Sequence, residues 1–353
     1  MENQSKCISP RISWVDAAKG LAIFCIVYGH ASRNEGLLAR MVYTFHVPMC
    51  VLITGYLYKV RQEHLWDHLR KTGYRLLLPY FVWSLISIGI YMVMGRLAAS
   101  SFEAEFYTLK ENLQFMLLGR SIGNAALWYL PFLFLCYLMM DLWVRLLRNL
   151  HLHSKASRLS IAALPVILSV MLLAVYTRYQ YVYNLDLPFG INNALFLFPF
   201  FWLGYLGSQR KPLPDGKIWL LPALLLTAGS IYAGIRFNEP VEYMRLTESD
   251  YGSNVFVFYA SAIVSAVCLC WICKILKRNR LLQWFGRNAM AILVMHKFPV
   301  LFFQVVLGDM GERFGNFRFL WYLLISLLSM SMCCAVGAFL HRYLPWTIGE
   351  HKK

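Results

Sequence analysis

Ten apolar stretches recur along the 353-residue chain, near residues 13–30, 42–58, 76–95, 125–144, 159–176, 190–207, 218–235, 255–273, 288–306 and 319–340. Each approaches the roughly 20 residues that a helix needs to cross the hydrocarbon of a bilayer. Ten such spans take up about 200 residues, close to the 59% hydrophobic share of the chain, and only 15% of its residues are charged. That balance excludes disorder, collagen and a disulfide scaffold. The chain therefore reads as all-α: one integral-membrane domain over residues 1–353, a polytopic bundle of about ten transmembrane helices. Pro199, Asn288 and Lys297 interrupt the sixth and ninth stretches.

A net charge of +16 would point to nucleic acid in a soluble protein, but its distribution points elsewhere. With the N-terminus in the cytoplasm, 22 of the 34 Lys and Arg fall on the inner side and 10 in outer loops, while Lys19 and Lys297 lie inside spans. Cytoplasmic loops carry the excess of Lys and Arg, so both termini are expected inside. A nucleic-acid partner needs basic residues gathered on one exposed module, and none is present. Eight of the nine cysteines lie in apolar segments. There they act as small hydrophobes, and Cys268, Cys270 and Cys273 lack the second Cys or His pair of a zinc or redox site. The first apolar run carries no small-residue cleavage pattern after it and is expected to be an uncleaved span. The outer segment from Arg96 to Asn124 has apolar residues at helical spacing, which suits either lying flat at the interface or packing over the outer mouth.

Ionisable groups in hydrocarbon are costly and mark functional candidates. The first span holds three, Asp16, Lys19 and His30. At about 100° per residue, separations of 3 and 11 put them on one helix face, with His30 about 16 Å beyond Lys19 towards the outer leaflet. Asp16 and Lys19 can pair at i, i+3 near the inner end; alternatively they form a structural pair and His30 caps the span in water. His46 opens the second span and His296 lies midway along the ninth, beside Lys297. A metal path through these histidines lacks a mid-depth carboxylate, so no metal site is expected. The inner segment Lys59–Arg75 mixes Arg61, Arg70, Lys71 and Arg75 with Trp66 and Tyr74 before Pro79-Tyr80. Such a basic rim can bind a phosphorylated ligand, although the positive-inside rule alone also accounts for it.

Five ordered stretches, covering about 280 residues, resemble the integral-membrane acyltransferase-3 family. Asp16-Ala-Ala-Lys19-Gly20 through Gly29-His30 is similar to its first-span signature, and Phe45-His46-Val47-Pro48-Met49 through Thr54-Gly55-Tyr56 to its second-span motif. Lys71 and Arg75 before Pro79-Tyr80 resemble its basic third-span entry, Leu127-Trp128-Tyr129-Leu130 the start of its fourth, and Gly286-Arg287-Asn288 through His296 its late segment. Lys19 stands where Arg is common, Thr54 where Ser often precedes Gly-Tyr, and Cys50-Val51 where Phe-Phe is frequent. The ending Leu344–Gly349 resembles the stand-alone bacterial sugar O-acetylases.

The resemblance implies a multi-pass protein of the inner (cytoplasmic) membrane. It would transfer an acyl group, usually acetyl from cytoplasmic acetyl-CoA, to a hydroxyl of a cell-surface glycan or lipid-linked sugar. Acetyl-CoA is a substrate here, and no resident cofactor is expected; the partners are acyl-CoA, the glycan acceptor and membrane lipids. His30 is the expected general base, with Asp16 and Lys19 in the same site, and an unperturbed imidazole pKa near 6.5 suits that role. An acyl-histidine intermediate is a variant of the same scheme. Lys71 and Arg75, with Arg70 beside them, are expected to meet the donor phosphates. His46, Trp128, His296 and Asn288 are candidates for the acceptor cavity. Two rival readings use the same residues: a transporter or exporter of a polar solute, and a non-catalytic scaffold whose polar groups fix helix packing.

Overall fold

The computed structural model describes residues 11–33, 35–97, 107–121, 123–150, 155–183, 187–238, 251–277, 279–307 and 314–351. Helices account for most of them, and no strand occurs among the described residues. In chain order they are α1 (Ser13–Ala31), α2 (Gly36–Tyr43), α3 (His46–Leu57), α4 (Leu65–Leu97), α5 (Leu109–Leu117) and α6 (Tyr129–Asn149). Then come α7 (Lys155–Tyr183), α8 (Ile191–Ser208), α9 (Leu220–Phe237), α10 (Val255–Leu276), α11 (Arg280–Arg287), α12 (Ala289–Met295), α13 (Lys297–Val306) and α14 (Arg318–Tyr343).

Among the described residues, eight helical segments are long and apolar enough to cross a membrane, and α12 with α13, bent by 50°, make a ninth. The protein is thus a polytopic helical membrane protein. The expected count of about ten differs by α1, which takes the place of the first crossing but carries Asp16, Lys19 and His30 within 19 residues. What α1 lacks in hydropathy it recovers by burial, with 12 of its 19 residues buried. It contacts α3, α10, α11 and α14 at the centre of the bundle. By contrast, only 17% of the crossing segments of α7 and α9 is buried; α7 shows Leu, Ile and Met outwards, and α9 shows Leu with Tyr232 and Phe237. Those helices belong at the lipid face, since an apolar surface of that extent is stable only against hydrocarbon.

Three boundaries depart from the sequence reading. The second crossing runs Gly36–Leu57 because α2 continues into α3, so His46 sits within the crossing and not at its start. The basic inner segment is helical from Leu65, so Arg70, Lys71 and Arg75 ride on the first turns of α4, which runs through Pro79 unbroken. The stretch between the eighth and ninth crossings forms α11, opened by the Asn279 side chain accepting from the Leu282 amide. Of the outer segment 96–124, Phe102 and Phe106 lie outside the described residues. Its described helix α5 docks on α4, where the buried Tyr80 hydroxyl donates to the Met116 carbonyl at 2.7 Å.

Candidate active site

Two glycines seat α11 against α1. A Cβ on Gly20 would strike the Leu282 carbonyl, and one on Gly286 the Asp16 carbonyl, so only hydrogen side chains let the backbones touch here. This contact brings the first and last motif stretches together.

Beside it lies a cavity of about 250 Å³. Lys19, Arg75, Arg287 and Glu350 stand around it, and its walls include Cys50 and Thr54 of α3 and Tyr129 of α6. All five motif stretches therefore contribute to one cavity. On α1 its lining climbs through Lys19, Ala22, Ile23 and Ile26, the i, i+3, i+4, i+7 face of a helix that reaches His30 one turn later. Gly349, at φ +73°, lies against the Arg75 carbonyl and brings the chain's last described turn to the cavity. Its neighbour Glu350 accepts from His341 at 2.7 Å, so three cations face one carboxylate that already has a partner. That excess suits an anionic ligand.

At the other end of α1 the His30 ring stacks on His296, with centroids 5.2 Å apart and planes 30° from parallel. His296 is fully buried at the bend between α12 and α13. Its Nδ1 lies 2.9 Å from the Ile292 carbonyl and 3.0 Å from that of Leu293. A carbonyl only accepts, so Nδ1 carries the proton and the neutral ring turns a lone pair on Nε2 inwards. That Nε2 is buried without a partner among the described residues. His46 repeats the device, its Nδ1 donating to the Val42 carbonyl at 2.9 Å, with the Tyr43 ring edge-on at 4.8 Å. Both His46 and Lys297 lie within electrostatic range of His30. Asn124, fully buried, donates from Nδ2 to the Val294 carbonyl at 2.8 Å, and its Oδ1 has no partner among the described residues. Two buried acceptors without partners among the described residues, His296 Nε2 and Asn124 Oδ1, thus lie on or against α12 beside a half-buried imidazole that can take a proton from a hydroxyl.

The expected residues thus separate. Lys19 and Arg75 join the inner cavity, and His30, His46 and His296 gather at the outer end. Asp16 acts on Lys19 through space but forms no ion pair with it among the described residues. Lys71 binds Glu63, which also takes Arg61 at 3.1 Å, and these contacts, Lys71 first, hold the Glu63 carboxyl below its ordinary range. Arg70 is exposed on α4. Trp128 packs on Phe132, and Asn288 caps the junction of α11 and α12, donating to the Trp284 carbonyl at 2.9 Å, beside Arg287 rather than His296.

The sequence reading named neither Arg287 nor Glu350 as a site residue, although Arg287 stands inside a quoted motif. It also passed over Asp141. This buried carboxylate accepts from the Tyr58 hydroxyl and His68 Nδ1 and joins the end of α3 to α4 and α6. An ionisable group inside a crossing was the available signal. No group of three or more His, Cys, Asp or Glu is placed to hold a metal among the described residues.

A family model described as an acyltransferase domain, the acyltransferase-3 type, matches residues 12–338. The nodulation protein NolL of Mesorhizobium japonicum is 22% identical over 281 residues, which cover 72% of this chain and 67% of that protein. No solved structure matches.

Proposed function

The chain belongs to the acyltransferase-3 family, and from that premise we propose that this membrane acyltransferase moves an acyl group, acetyl first among them, from cytoplasmic acyl-CoA to a hydroxyl of a cell-surface glycan or lipid-linked sugar. The observation that carries the reading is the single cavity shared by all five motif stretches, whose α1 face leads from Lys19 towards His30. Lys19, Arg75 and Arg287 hold the donor's phosphates through charge-assisted hydrogen bonds. The donor's arm follows Ala22, Ile23 and Ile26, which carry no charge to arrest it, and presents the thioester near His30.

The acceptor hydroxyl oxygen then attacks the thioester carbonyl while His30 takes its proton. Collapse of the adduct breaks the carbon–sulfur bond and forms the ester. The leaving thiolate recovers the proton from the imidazolium. His296 and His46, each with Nδ1 fixed by a backbone carbonyl, offer Nε2 acceptors to other acceptor hydroxyls, and Trp128 supplies an aromatic wall. The excess of Lys and Arg at the donor end supports an inner-membrane location with that end cytoplasmic.

The test is purified protein in lipid vesicles with labelled acetyl-CoA and membrane glycans. Release of free CoA in step with label on the glycan is expected. Movement of a polar solute across the vesicle with the thioester intact would replace this reading by transport.

A further inference from the structure

A second cleft, of about 330 Å³, lies on the far side of α3 from the cavity already described, and Ile53 lines both. Its walls are apolar. Leu203 and Gly207 come from α8, and Ile263 and Val267 from α10, with Trp14, Tyr56 and Trp271 beside them. Leu203, Ile263 and Val267 are only half-buried, and they belong to membrane crossings, so the cleft opens sideways to lipid. From Ile263 to Lys274 it follows α10 for 11 residues, about 16 Å.

Its rim is basic. Arg210, Lys211 and Lys274 stand at the end that the loop charges assign to the cytoplasm. Arg210 and Lys211 are exposed and have no ion-pair partner among the described residues. The neighbouring acid, Asp215, is taken by Lys277 at 2.8 Å, which holds its carboxyl below the ordinary range. The rim is also built. Trp271 donates to the Pro214 carbonyl at 2.6 Å and Lys274 to that of Leu213, which ties the segment after α8 to the end of α10.

We propose that this cleft is a binding site for an anionic phospholipid of the inner leaflet, one acyl chain lying between α8 and α10 and the phosphate on Arg210 and Lys211. An unneutralised pair of cations at headgroup depth above an apolar slot, flanked by tryptophan and tyrosine, complements the charge and polarity of such a lipid. The site uses none of the groups assigned to acyl transfer, so His30→Ala protein keeps the lipid if the proposal is right.

The test is native mass spectrometry of the full chain in detergent, titrated with dioleoylphosphatidylglycerol or dioleoylphosphatidylcholine. One phosphatidylglycerol is expected to stay bound to the wild type, several-fold more firmly than phosphatidylcholine. Arg210→Ala with Lys211→Ala should weaken it about tenfold, whereas Arg148→Ala with Arg342→Ala, which removes equal charge at the same end, should not. Gly207 lines the slot and a Cβ there meets nothing within 4 Å, so the side chain of Gly207→Leu starts from open space, takes up room in the slot and should weaken both lipids. Equal retention of the two lipids, equal loss in the two charge variants, or displacement by free CoA or glycerol 3-phosphate would each overturn the assignment.

Discussion

His30→Ala should lower turnover by roughly 100- to 10,000-fold, the range a general base supplies, while leaving the KM for the donor near its wild-type value. His296→Ala should cost less, because its Nδ1 is fixed to α12 and only Nε2 is free to orient a partner. Single-turnover rates with chemistry limiting would separate the two; more than about a tenth of wild-type turnover in His30→Ala would end its role as base. At the donor end, Arg75→Ala with Arg287→Ala should raise the KM by about tenfold or more, since charged hydrogen bonds contribute roughly 1.5 to 3 kcal/mol each. Lys71→Ala should change it by no more than about threefold at neutral pH, because Glu63 already holds that ammonium at the surface. The Glu63 carboxyl is depressed by Lys71 and Arg61. Their contact is therefore complete above the ordinary carboxylate pKa and is lost only as pH falls through the lowered one, so the small effect of Lys71→Ala holds throughout the neutral range.

The helices themselves were the most legible part of the sequence, because their apolar length is set by the bilayer and not by any partner. What lay hidden was contact. Gly20 and Gly286 stand in separate motifs, and nothing in either stretch says that each gives way to the other's backbone. Likewise α11, short and charged, reads as a loop until α1 is placed beside it. The start of the second crossing and the helical state of the basic segment were missed for a related reason: α2 leads into α3 across Thr44 and Phe45, and α4 begins at Leu65, a full turn or more before its apolar stretch. Gly286→Ala should therefore lower the thermal midpoint markedly in detergent, whereas Gly229→Ala in α9, where a Cβ meets nothing within 4 Å, should leave it unchanged or raise it slightly. Asp141→Ala removes the shared acceptor of Tyr58 and His68. Each buried donor left unpaired costs roughly 1–3 kcal/mol, so this variant should unfold at a distinctly lower temperature by circular dichroism.

For the molecule as a whole, sidedness is the property on which the donor site depends. Reporter fusions at Lys155 should signal cytoplasm and at Ser253 the outside; the reverse pattern would place the cationic cavity away from cytoplasmic CoA. The central position of α1 also has a consequence for how the chain is made. Its first turns, with Asp16 and Lys19, leave the ribosome early, but the backbone that covers them, around Leu282 and Gly286, follows roughly 260 residues later. At about 5 to 20 residues per second, the most polar helix waits tens of seconds for its partner. A nascent chain stopped after Leu276 should accordingly be a substrate for membrane proteases, and full-length synthesis should end that vulnerability at the moment α11 docks.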